Sequence, residues 1–326
     1  MKHKIYIIIL NYNGWKDTIE CLESVLKNDY ENYQIIVVDN DSPNNSMEYI
    51  INWAKGKQEV IYDENSQLKH LSQPFESKPL EYVLYTKEEA LNGGDKEKES
   101  KLNNPIIFIQ SGENGGFAAG NNIGIKYALT KDDFEYVWLL NNDTVVDEYA
   151  LYNLVQGFEK YKNQNIGICG SKILFYDEPH IVQSLGRVQK NLYRLSHIAF
   201  ETNDIYDDDF KVDEISGASM LLSKNYIRDI GFMPEEYFLY MEETDWNYKG
   251  KSKGYNFFTI VSSKIFHKES ISTGGRYSFT NIYYNTRNKI HFLRKYSTNY
   301  IFILIIFIIY NSTFAPKTKQ FSSHIS

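Results

Sequence analysis

Residues 137–144 constrain the fold most strongly, because four apolar residues run directly into three small polar ones in the order Val-Trp-Leu-Leu-Asn-Asn-Asp-Thr. An apolar run without alternation is typical of a strand that is buried on both faces of a parallel sheet. In open α/β sheets, ligands bind where such strands end. We therefore predict that Asp143 is the polar centre of a nucleotide site, where its carboxylate holds a cation and the phosphates that the cation carries.

Similar apolar runs occur in the first half of the chain. Residues 5–10, 34–38 and 106–109 are short apolar runs, and apolar residues at helical spacing follow the first two of them. Alternation of buried strands with helices predicts an α/β fold with a mostly parallel central sheet and flanking helices. A mixed second half is expected from further strands and helices at residues 166–169, 173–211, 224–230, 242–252 and 256–265.

Length, charge and cysteine usage exclude several classes of protein. A chain of 326 residues corresponds to one large or two small domains, and its formal net charge of −7 argues against a nucleic-acid-binding protein. Cys21 and Cys169 are far apart and have no metal-like spacing, so we expect free thiols. The first apolar run ends after six residues without a cleavage site, which predicts a first strand rather than a signal peptide.

Residues 63–104 interrupt the strand-helix pattern. They are rich in charge and contain Pro74, Pro79 and the pair Gly93-Gly94. Such composition predicts a solvated insertion, part of it disordered, within a catalytic domain that spans residues 1–270. A lid or partner-binding loop is one interpretation, and a tolerated surface insertion is the one we favour.

The C-terminal residues 271–326 form a tail of different character. Residues 264–295 carry seven Lys or Arg and one acid, and the eleven residues 300–310 have no polar side chain other than the two terminal tyrosines. A helix of that length rises about 1.5 Å per residue, so it covers roughly half of a bilayer core of about 30 Å. We expect a helical tail that docks on an anionic membrane surface, with a buried helix or a partner interface as the alternative. The corresponding location is cytoplasmic, peripheral on the inner face of the cell membrane.

Polar residues follow three of the predicted strands. Asn11, Tyr12 and Asn13 close the first strand, Asp39 closes the second, and residues 141–143 close the later one. Each of them alone has an ordinary explanation as a turn or helix cap. Because parallel strands end at one edge of a sheet, we expect the three sets to lie together.

Three further motifs carry candidate chemistry. Residues 114–122 read Asn-Gly-Gly-Phe-Ala-Ala-Gly-Asn-Asn and open a predicted helix, whose free N–H groups suit an anion. Glu242, Glu243 and Asp245 are three carboxylates within four residues, which fits either a general base with a raised pKa or an acidic first helical turn. His267 follows the last strand and is more often structural than a ligand, unless it lies near Asp143.

Seven blocks in order resemble family 2 glycosyltransferases, and within that family the bacterial rhamnosyltransferase-like branch. The resemblance spans about residues 4–295, and these blocks carry it: Ile-Leu-Asn-Tyr-Asn-Gly (9–14), Val-Val-Asp-Asn-Asp-Ser (37–42), Asn-Gly-Gly-Phe-Ala-Ala-Gly-Asn-Asn (114–122), Leu-Leu-Asn-Asn-Asp-Thr (139–144), Ser-Gly-Ala-Ser-Met-Leu (216–221), Glu-Glu-Thr-Asp-Trp (242–246) and His267.

The resemblance implies a GT-A fold and an inverting transfer from a nucleotide-diphosphate sugar, with a dTDP- or UDP-linked rhamnose or similar hexose as donor. It implies Mg²⁺ or Mn²⁺ held by Asp143 and His267, with Asn141 in place of the first acid of the family's Asp-x-Asp motif. Glu243 matches the general base, while Glu242 and Asp245 stay open as alternatives. Donor contacts are implied for Asn11, Tyr12, Asn13, Asp39, Asn114, Gly116, Phe117, Asn121, Asn141 and Asn142. Acceptor or phosphate contacts are implied for Gly217, Ala218, Tyr284 and Arg287.

The implied acceptor is a hydroxyl of a growing cell-surface polysaccharide or lipid-linked glycan, and a homo-oligomer is left open. One rival is a sugar nucleotidyltransferase, which would need a basic glycine-rich loop after the first strand. Residues 11–14 contain no Lys or Arg, which argues against it. A second rival is a degenerate, non-catalytic transferase that scaffolds a membrane glycan-assembly complex, because Asn141 and Glu243 both replace the acids usual in the family.

Overall fold

The structure is a computed structural model that describes residues 3–191, 194–268, 278–301 and 305. Its first half alternates strands and helices. The elements are β1 (Ile5–Asn11), α1 (Trp15–Leu26), β2 (Tyr33–Asp39), α2 (Ser46–Ala54), α3 (Lys69–Ser72), β3 (Tyr82–Thr86), α4 (Lys87–Leu91), α5 (Lys96–Ser100), β4 (Ile106–Gln110), α6 (Gly116–Lys131), β5 (Tyr136–Asn141), β6 (Thr144–Val146) and α7 (Ala150–Lys160).

The second half has more strands and fewer crossover helices. The elements are β7 (Ile166–Phe175), β8 (Ile181–Ser184), β9 (Arg187–Asn191), β10 (Arg194–His197), β11 (Thr202–Asn203), β12 (Phe210–Val212), β13 (Ser219–Ser223), α8 (Lys224–Ile230), α9 (Glu242–Ser252), β14 (Asn256–His267) and α10 (Phe279–Tyr296).

One large sheet organises the described residues. Its strands lie in the order β11-β8-β7-β13-β5-β1-β2-β4-β3, and β14 adds to it by pairing with β7, β6 and β12. The strands from β5 to β3 are all parallel, whereas β13 runs antiparallel to both β5 and β7. The predicted α/β fold with a mostly parallel first half and a mixed second half is confirmed.

The central strands are buried on both faces, as their apolar runs predict. In β1, Ile5, Ile7 and Ile9 pack into the core on one side of the sheet, and Tyr6 and Ile8 pack into the core on the other. Successive side chains of a strand point to opposite faces, so an unbroken apolar run requires helices on both.

Strand register places the polar strand ends side by side. Asn11 at the end of β1 pairs with Asp39 at the end of β2, and Leu10 pairs with Asn141 at the end of β5. The sheet therefore gathers at one edge the residues that the sequence separates by more than a hundred positions.

The charged segment 63–104 is folded, so the expectation of a partly disordered insertion is wrong. Its strand β3 extends the sheet by pairing in parallel with β4, and Val83 and Ala90 are fully buried. Glu23 of α1 anchors it, because this buried carboxylate accepts hydrogen bonds from Trp53 Nε1 at 2.7 Å and Lys78 Nζ at 2.8 Å. The charged residues of this segment lie on its outer surface at the edge of the sheet, and its apolar residues pack inward.

The C-terminal helix α10 packs onto the catalytic part instead of standing apart as a tail. The expected boundary at residue 270 and most of the apolar run 300–310 lie outside the described residues. In the part that the structure does describe, no helix is long and apolar enough to cross a membrane.

Side chains of helix α10 stabilise an unusual turn that directly precedes α9. Phe238, Tyr240 and Met241 all have positive φ, at 66°, 66° and 76°, a conformation that non-glycine residues rarely adopt. Asn288 of α10 is fully buried, and its Nδ2 lies within 2.9, 2.7 and 2.8 Å of the carbonyl oxygens of Tyr237, Leu239 and Tyr240. Its amide therefore stabilises a strained turn that has little other reason to persist.

The variant Asn288→Asp should lose about 2 kcal/mol of unfolding free energy. The carboxylate has the same shape as the amide, but it replaces the NH2 donor by an oxygen that can only accept, and this oxygen would face three carbonyl oxygens. Urea unfolding would measure it. The matched control is Asn285→Asp, one turn earlier on α10, whose amide donates only to Asn281 of the same helix. Equal unfolding midpoints for the two variants would contradict the assigned role.

Candidate active site

A cleft of about 500 Å³ opens at the edge of the sheet where the parallel strands end. Residues from five regions line it: the strand ends, the glycine-rich segment, the segment before β13, the turn with the start of α9, and the start of α10. The lining side chains and backbone belong to Leu10, Tyr12, Asn40, Asn114, Gly116, Phe117, Asn141, Asn142, Asp143, Ser216, Gly217, Ala218, Phe238, Leu239, Tyr240, Glu242, Glu243, His267, Thr280 and Asn281.

Asp143 and His267 face one another in this cleft, as the metal assignment requires. His267 Nε2 lies 3.2 Å from Asp143 Oδ1, and the exposed fractions of the two side chains are 16% and 4%. Strand pairing produces the contact, because His267 of β14 pairs with Thr144 of β6, and the N–H of Lys268 donates to the carbonyl of Asp143.

These two side chains fit a divalent cation only in part. An oxygen and an imidazole nitrogen at this separation suit adjacent positions around Mn²⁺ or Mg²⁺. No group of three or more His, Cys, Asp or Glu that could hold a metal occurs among the described residues. A cation bound here would take its other ligands from a diphosphate and from water.

Glu242 and Glu243 line the cleft at the first turn of α9. Glu242 is 2% exposed, and its Oε2 has no hydrogen-bond partner among the described residues. Burial, together with the negative charge of Glu243, raises the pKa of the Glu242 carboxyl well above its ordinary value. Burial therefore favours the neutral form of the Glu242 carboxyl.

Glu243 has a different environment from its neighbour. Its side chain is 18% exposed, and its Oε1 lies 3.8 Å from a guanidinium nitrogen of Arg187. The same guanidinium is paired with the buried carboxylate of Glu214. The two adjacent glutamates thus differ in environment: Glu242 is buried, and Glu243 is more accessible and lies beside a guanidinium group.

Asp245 lies away from the cleft, so the structure does not bring this third candidate base to the site. Its carboxylate is fully buried and bonds Tyr237 Oη at 2.7 Å, Tyr296 Oη at 2.6 Å and Lys295 Nζ at 2.7 Å. Asp245 is two positions after Glu243, which places it about 200° further around the helix, because each residue turns an α-helix by about 100°. Asp245 joins α9 to α10.

The donor candidates divide into residues that line the cleft and residues that support it. Tyr12, Asn114, Gly116, Phe117, Asn141 and Asn142 line it. Asn11 and Asp39 lie behind the lining, where Asn11 Nδ2 donates to Asp39 Oδ1 at 2.5 Å. Asp39 also accepts from Ser42 Oγ at 2.6 Å and Gln110 Nε2 at 3.0 Å. Asn13 and Asn121 are not among the lining residues, and Asn121 Nδ2 donates to the carbonyl of Phe117 in its own helix.

Gly116 explains why the glycine-rich segment approaches the acid-bearing turn so closely. Its φ is +87°, and a Cβ there would collide with the carbonyl oxygen of Phe238. The N–H of Phe117 donates to that same oxygen at 2.8 Å. A side chain at position 116 would therefore separate α6 from the turn that carries Glu242 and Glu243.

On the opposite wall, Gly217 and Ala218 line the cleft, but Tyr284 and Arg287 are not among the lining residues. Tyr284 stacks on Phe238 with ring centroids 5.2 Å apart. Arg287 donates to the carbonyl oxygens of Tyr237 and Glu236. These contacts stabilise the turn, and an acceptor or phosphate contact of Tyr284 and Arg287 stays a prediction.

Sequence reasoning missed several lining residues. Asn40, Ser216, Phe238, Thr280 and Asn281 all face the cleft. Asn40 and Ser216 stand inside motifs that the sequence singled out, so their neighbours were the available signal. Thr280 and Asn281 come from α10, whose position over the cleft depends on tertiary contacts that no local pattern encodes.

Comparison with known proteins gives a consistent picture. The chain is 24% identical over 187 residues to the low-salt glycan biosynthesis hexosyltransferase Agl10 of Haloferax volcanii, covering 56% of this chain and 59% of that protein. It is 23% identical over 275 residues to the dTDP-rhamnosyl transferase RfbF of Shigella flexneri, covering 80% and 88%. The solved structure of GalNAc-T7 with UDP, GalNAc and Mn²⁺ matches with a TM-score of 0.57 at 13% identity, over 91% of this chain and 49% of that one.

The structural match establishes the fold, and a family profile establishes the relationship. Residues 6–73 and 95–231, which include both strand-end motifs and the glycine-rich segment, match the profile of Glycosyl transferase family 2. The match leaves out residues 74–94, which belong to the folded insertion, and residues 232–326, which include Glu242, Glu243, His267 and α10. The chain belongs to glycosyl transferase family 2.

Proposed function

We propose that the protein is an inverting glycosyltransferase that moves rhamnose or a similar hexose from a nucleotide-diphosphate sugar to a hydroxyl of a cell-surface polysaccharide or lipid-linked glycan. The single observation that carries this proposal is that Glu243 lines the same cleft as the facing pair Asp143 and His267. Transfer of a sugar requires a cation-binding group for the leaving diphosphate and a base for the attacking hydroxyl, and the cleft offers both. The rhamnosyl transferase relative supports a dTDP-sugar, and a UDP-sugar stays an alternative.

The donor end of the cleft has the features that a nucleoside diphosphate needs. Tyr12 is 37% exposed at the mouth and offers a ring face to a base. Asn40 is held by hydrogen bonds from its Nδ2 to Asn114 Oδ1 and to the carbonyl of Gly116, so the lining is fixed before a ligand arrives. Mg²⁺ or Mn²⁺ on Asp143 and His267 would neutralise the charge that develops on the leaving diphosphate.

Glu243 is the general base in this proposal. It removes the proton from the acceptor hydroxyl, whose oxygen then attacks the anomeric carbon from the side opposite the leaving group. Glu242 is too deeply buried and too readily protonated to accept that proton. Glu243 is the more exposed of the two side chains, so an acceptor hydroxyl can reach it.

The acceptor end lies next to an exposed apolar part of α10. Phe279, Ile282 and Tyr283 are 84%, 54% and 50% exposed, and their neighbours Thr280 and Asn281 line the cleft. Helix α10 contains Arg and Lys residues but no Asp or Glu. Apolar side chains beside net positive charge suit an anionic membrane, which would bring a lipid-linked acceptor to the cleft from the inner face of the cell membrane.

The donor and metal assignment predicts ligand-dependent stabilisation. UDP or dTDP together with Mn²⁺ should raise the melting temperature of the wild-type protein, because a ligand that binds only the native state stabilises it. Asp143→Ala should lose this shift and roughly two to four orders of magnitude of transfer activity. Thermal scans and a sugar-transfer assay over a panel of nucleotide sugars would measure both. A degenerate scaffold would show no donor hydrolysis with either cation.

The two adjacent glutamates provide a matched pair of variants. Glu243→Gln removes the base and should lower kcat by roughly two to four orders of magnitude. Glu242→Gln imitates the neutral acid that burial already favours, so it should retain activity within about tenfold of the wild type. Steady-state kinetics on both would decide. A reversed order of the two activities would assign the base to Glu242.

The membrane assignment predicts a loss of binding when the apolar surface is removed. The double variant Phe279→Ser/Ile282→Ser should bind vesicles that contain phosphatidylglycerol about tenfold more weakly or worse, since two apolar side chains no longer leave water. Vesicle co-sedimentation would measure this. The control is Ile205→Ser, which removes an apolar side chain that is 77% exposed elsewhere on the surface. If the double variant bound as well as the control, α10 would not be the docking element.

A further inference from the structure

Gln183 of β8 lies directly behind His267, on the side of the imidazole ring opposite Asp143. Gln183 is 7% exposed, and its Oε1 is 2.7 Å from His267 Nδ1. On the other side of the ring, His267 Nε2 is 3.2 Å from Asp143 Oδ1. The imidazole therefore bridges a buried amide and the carboxylate of the cleft.

The alternation of side chains along two strands produces this alignment. Val182 and Phe266 both pack into the same buried apolar cluster, with Val145. Their neighbours Gln183 and His267 therefore project to the other face of the sheet, as the period of two requires. Strand β7 lies between β8 and β14, so the amide reaches the ring across one intervening strand.

The atom that Gln183 presents decides which ring nitrogen carries the proton. An amide oxygen only accepts hydrogen bonds, so the 2.7 Å contact with Oε1 requires a proton on Nδ1. A neutral imidazole with Nδ1–H has a lone pair on Nε2, and this lone pair is directed at Asp143 Oδ1. Two electron-rich atoms held at 3.2 Å form a suitable place for a cation.

We propose that Gln183 is a positioning residue that keeps the proton of His267 on Nδ1 and so presents Nε2 as a metal ligand. This inference rests on the proposed function only in its last step, the binding of the cation. Metal-binding histidines generally donate their second ring N–H to an acceptor, and loss of that acceptor costs about 10–100-fold in metal affinity or activity.

The other orientation of the Gln183 amide would place the ring proton of His267 differently. If the amide were turned by 180°, Nε2 of Gln183 would donate to Nδ1, the ring proton would lie on Nε2, and it would point at Asp143. That proton would occupy the position of the cation. In the arrangement observed, Gln183 Nε2 is buried without a hydrogen-bond partner among the described residues.

The direct test is the tautomer of His267, read by ¹⁵N NMR of the full-length protein with labelled histidine and no metal. The chain has seven histidines, so the signal that disappears in His267→Asn identifies the residue. The wild type should show the proton on Nδ1. Gln183→Met, which removes both amide atoms at similar volume, should shift the ring toward the Nε2–H tautomer. A wild-type ring protonated on Nε2 would overturn the proposal whatever the variants do.

The second test is the affinity for Mn²⁺ in the presence of UDP, measured by electron paramagnetic resonance of free Mn²⁺. Gln183→Met should bind about tenfold or more weakly, and Gln183→Glu should restore both the affinity and the Nδ1–H tautomer, because a carboxylate accepts the same bond. Gln156→Met, on the exposed surface of α7, is the matched control. Wild-type affinity in Gln183→Met, or a weaker affinity in Gln183→Glu than in Gln183→Met, would overturn the proposal.

These outcomes separate this inference from the proposed function. A wild-type protein that binds no Mn²⁺ with UDP would refute the metal assignment, while the NMR result would still report whether Gln183 sets the tautomer. A wild-type protein that binds Mn²⁺, with unchanged binding in Gln183→Met, would refute only the role of Gln183.

Discussion

The pairing of β6 with β14 is the interaction on which the site depends. The parallel strands alone deliver Asp143 to the edge of the sheet, as they would in many α/β proteins. The short strand β6 turns back from that edge and aligns Thr144 with His267. Because the strands are hydrogen-bonded in register, the carboxylate and the imidazole meet without any flexible segment between them. Precise placement of this kind lowers the cost of ordering ligands when a cation and a diphosphate arrive.

A second constraint acts on the part of the cleft that contains Glu242 and Glu243, because a strained turn precedes the helix that carries them. Three non-glycine residues with positive φ in four positions are costly, and such conformations persist only where surrounding contacts hold them. Here Asn288 holds the carbonyls of the turn, Arg287 holds its outer side, and Gly116 allows α6 to approach. The strained turn directly precedes α9 and fixes the position at which this helix begins. At that position Glu242 is buried and Glu243 is more exposed to the cleft.

Much of the fold was predictable because its central strands are buried on both faces and leave an unmistakable apolar run. The strand ends and the helix at residues 224–230 were predicted from local pattern and from parallel strand order. The contact between Asp143 and His267 was implied only by the family resemblance, because it depends on the antiparallel pairing of β6 with β14. The segment 63–104 was misjudged, since its charged outer surface conceals the few apolar residues that bury against β4 and α6. Asp245 was grouped with Glu242 and Glu243 as one acidic motif, although a position two residues after Glu243 in the predicted helix already faces away from it. The contact of Gln183 with His267 and the contacts of α10 with the turn before α9 could not be predicted, because each of them joins elements that are far apart in the chain.

The buried link at Asp245 has a wider consequence for how the protein responds to its surroundings. Lys295 and Tyr296 of α10 bond a carboxylate that sits one turn along the helix from Glu242 and Glu243. Helix α10 also exposes Phe279, Ile282 and Tyr283 to solvent. If a ligand in the cleft and a partner on this outer surface favoured the same position of α10, each would raise the affinity for the other by the same factor. The hydrogen bonds of Asp245 would then carry the effect of an outside contact to the acids of the cleft without a separate regulatory domain.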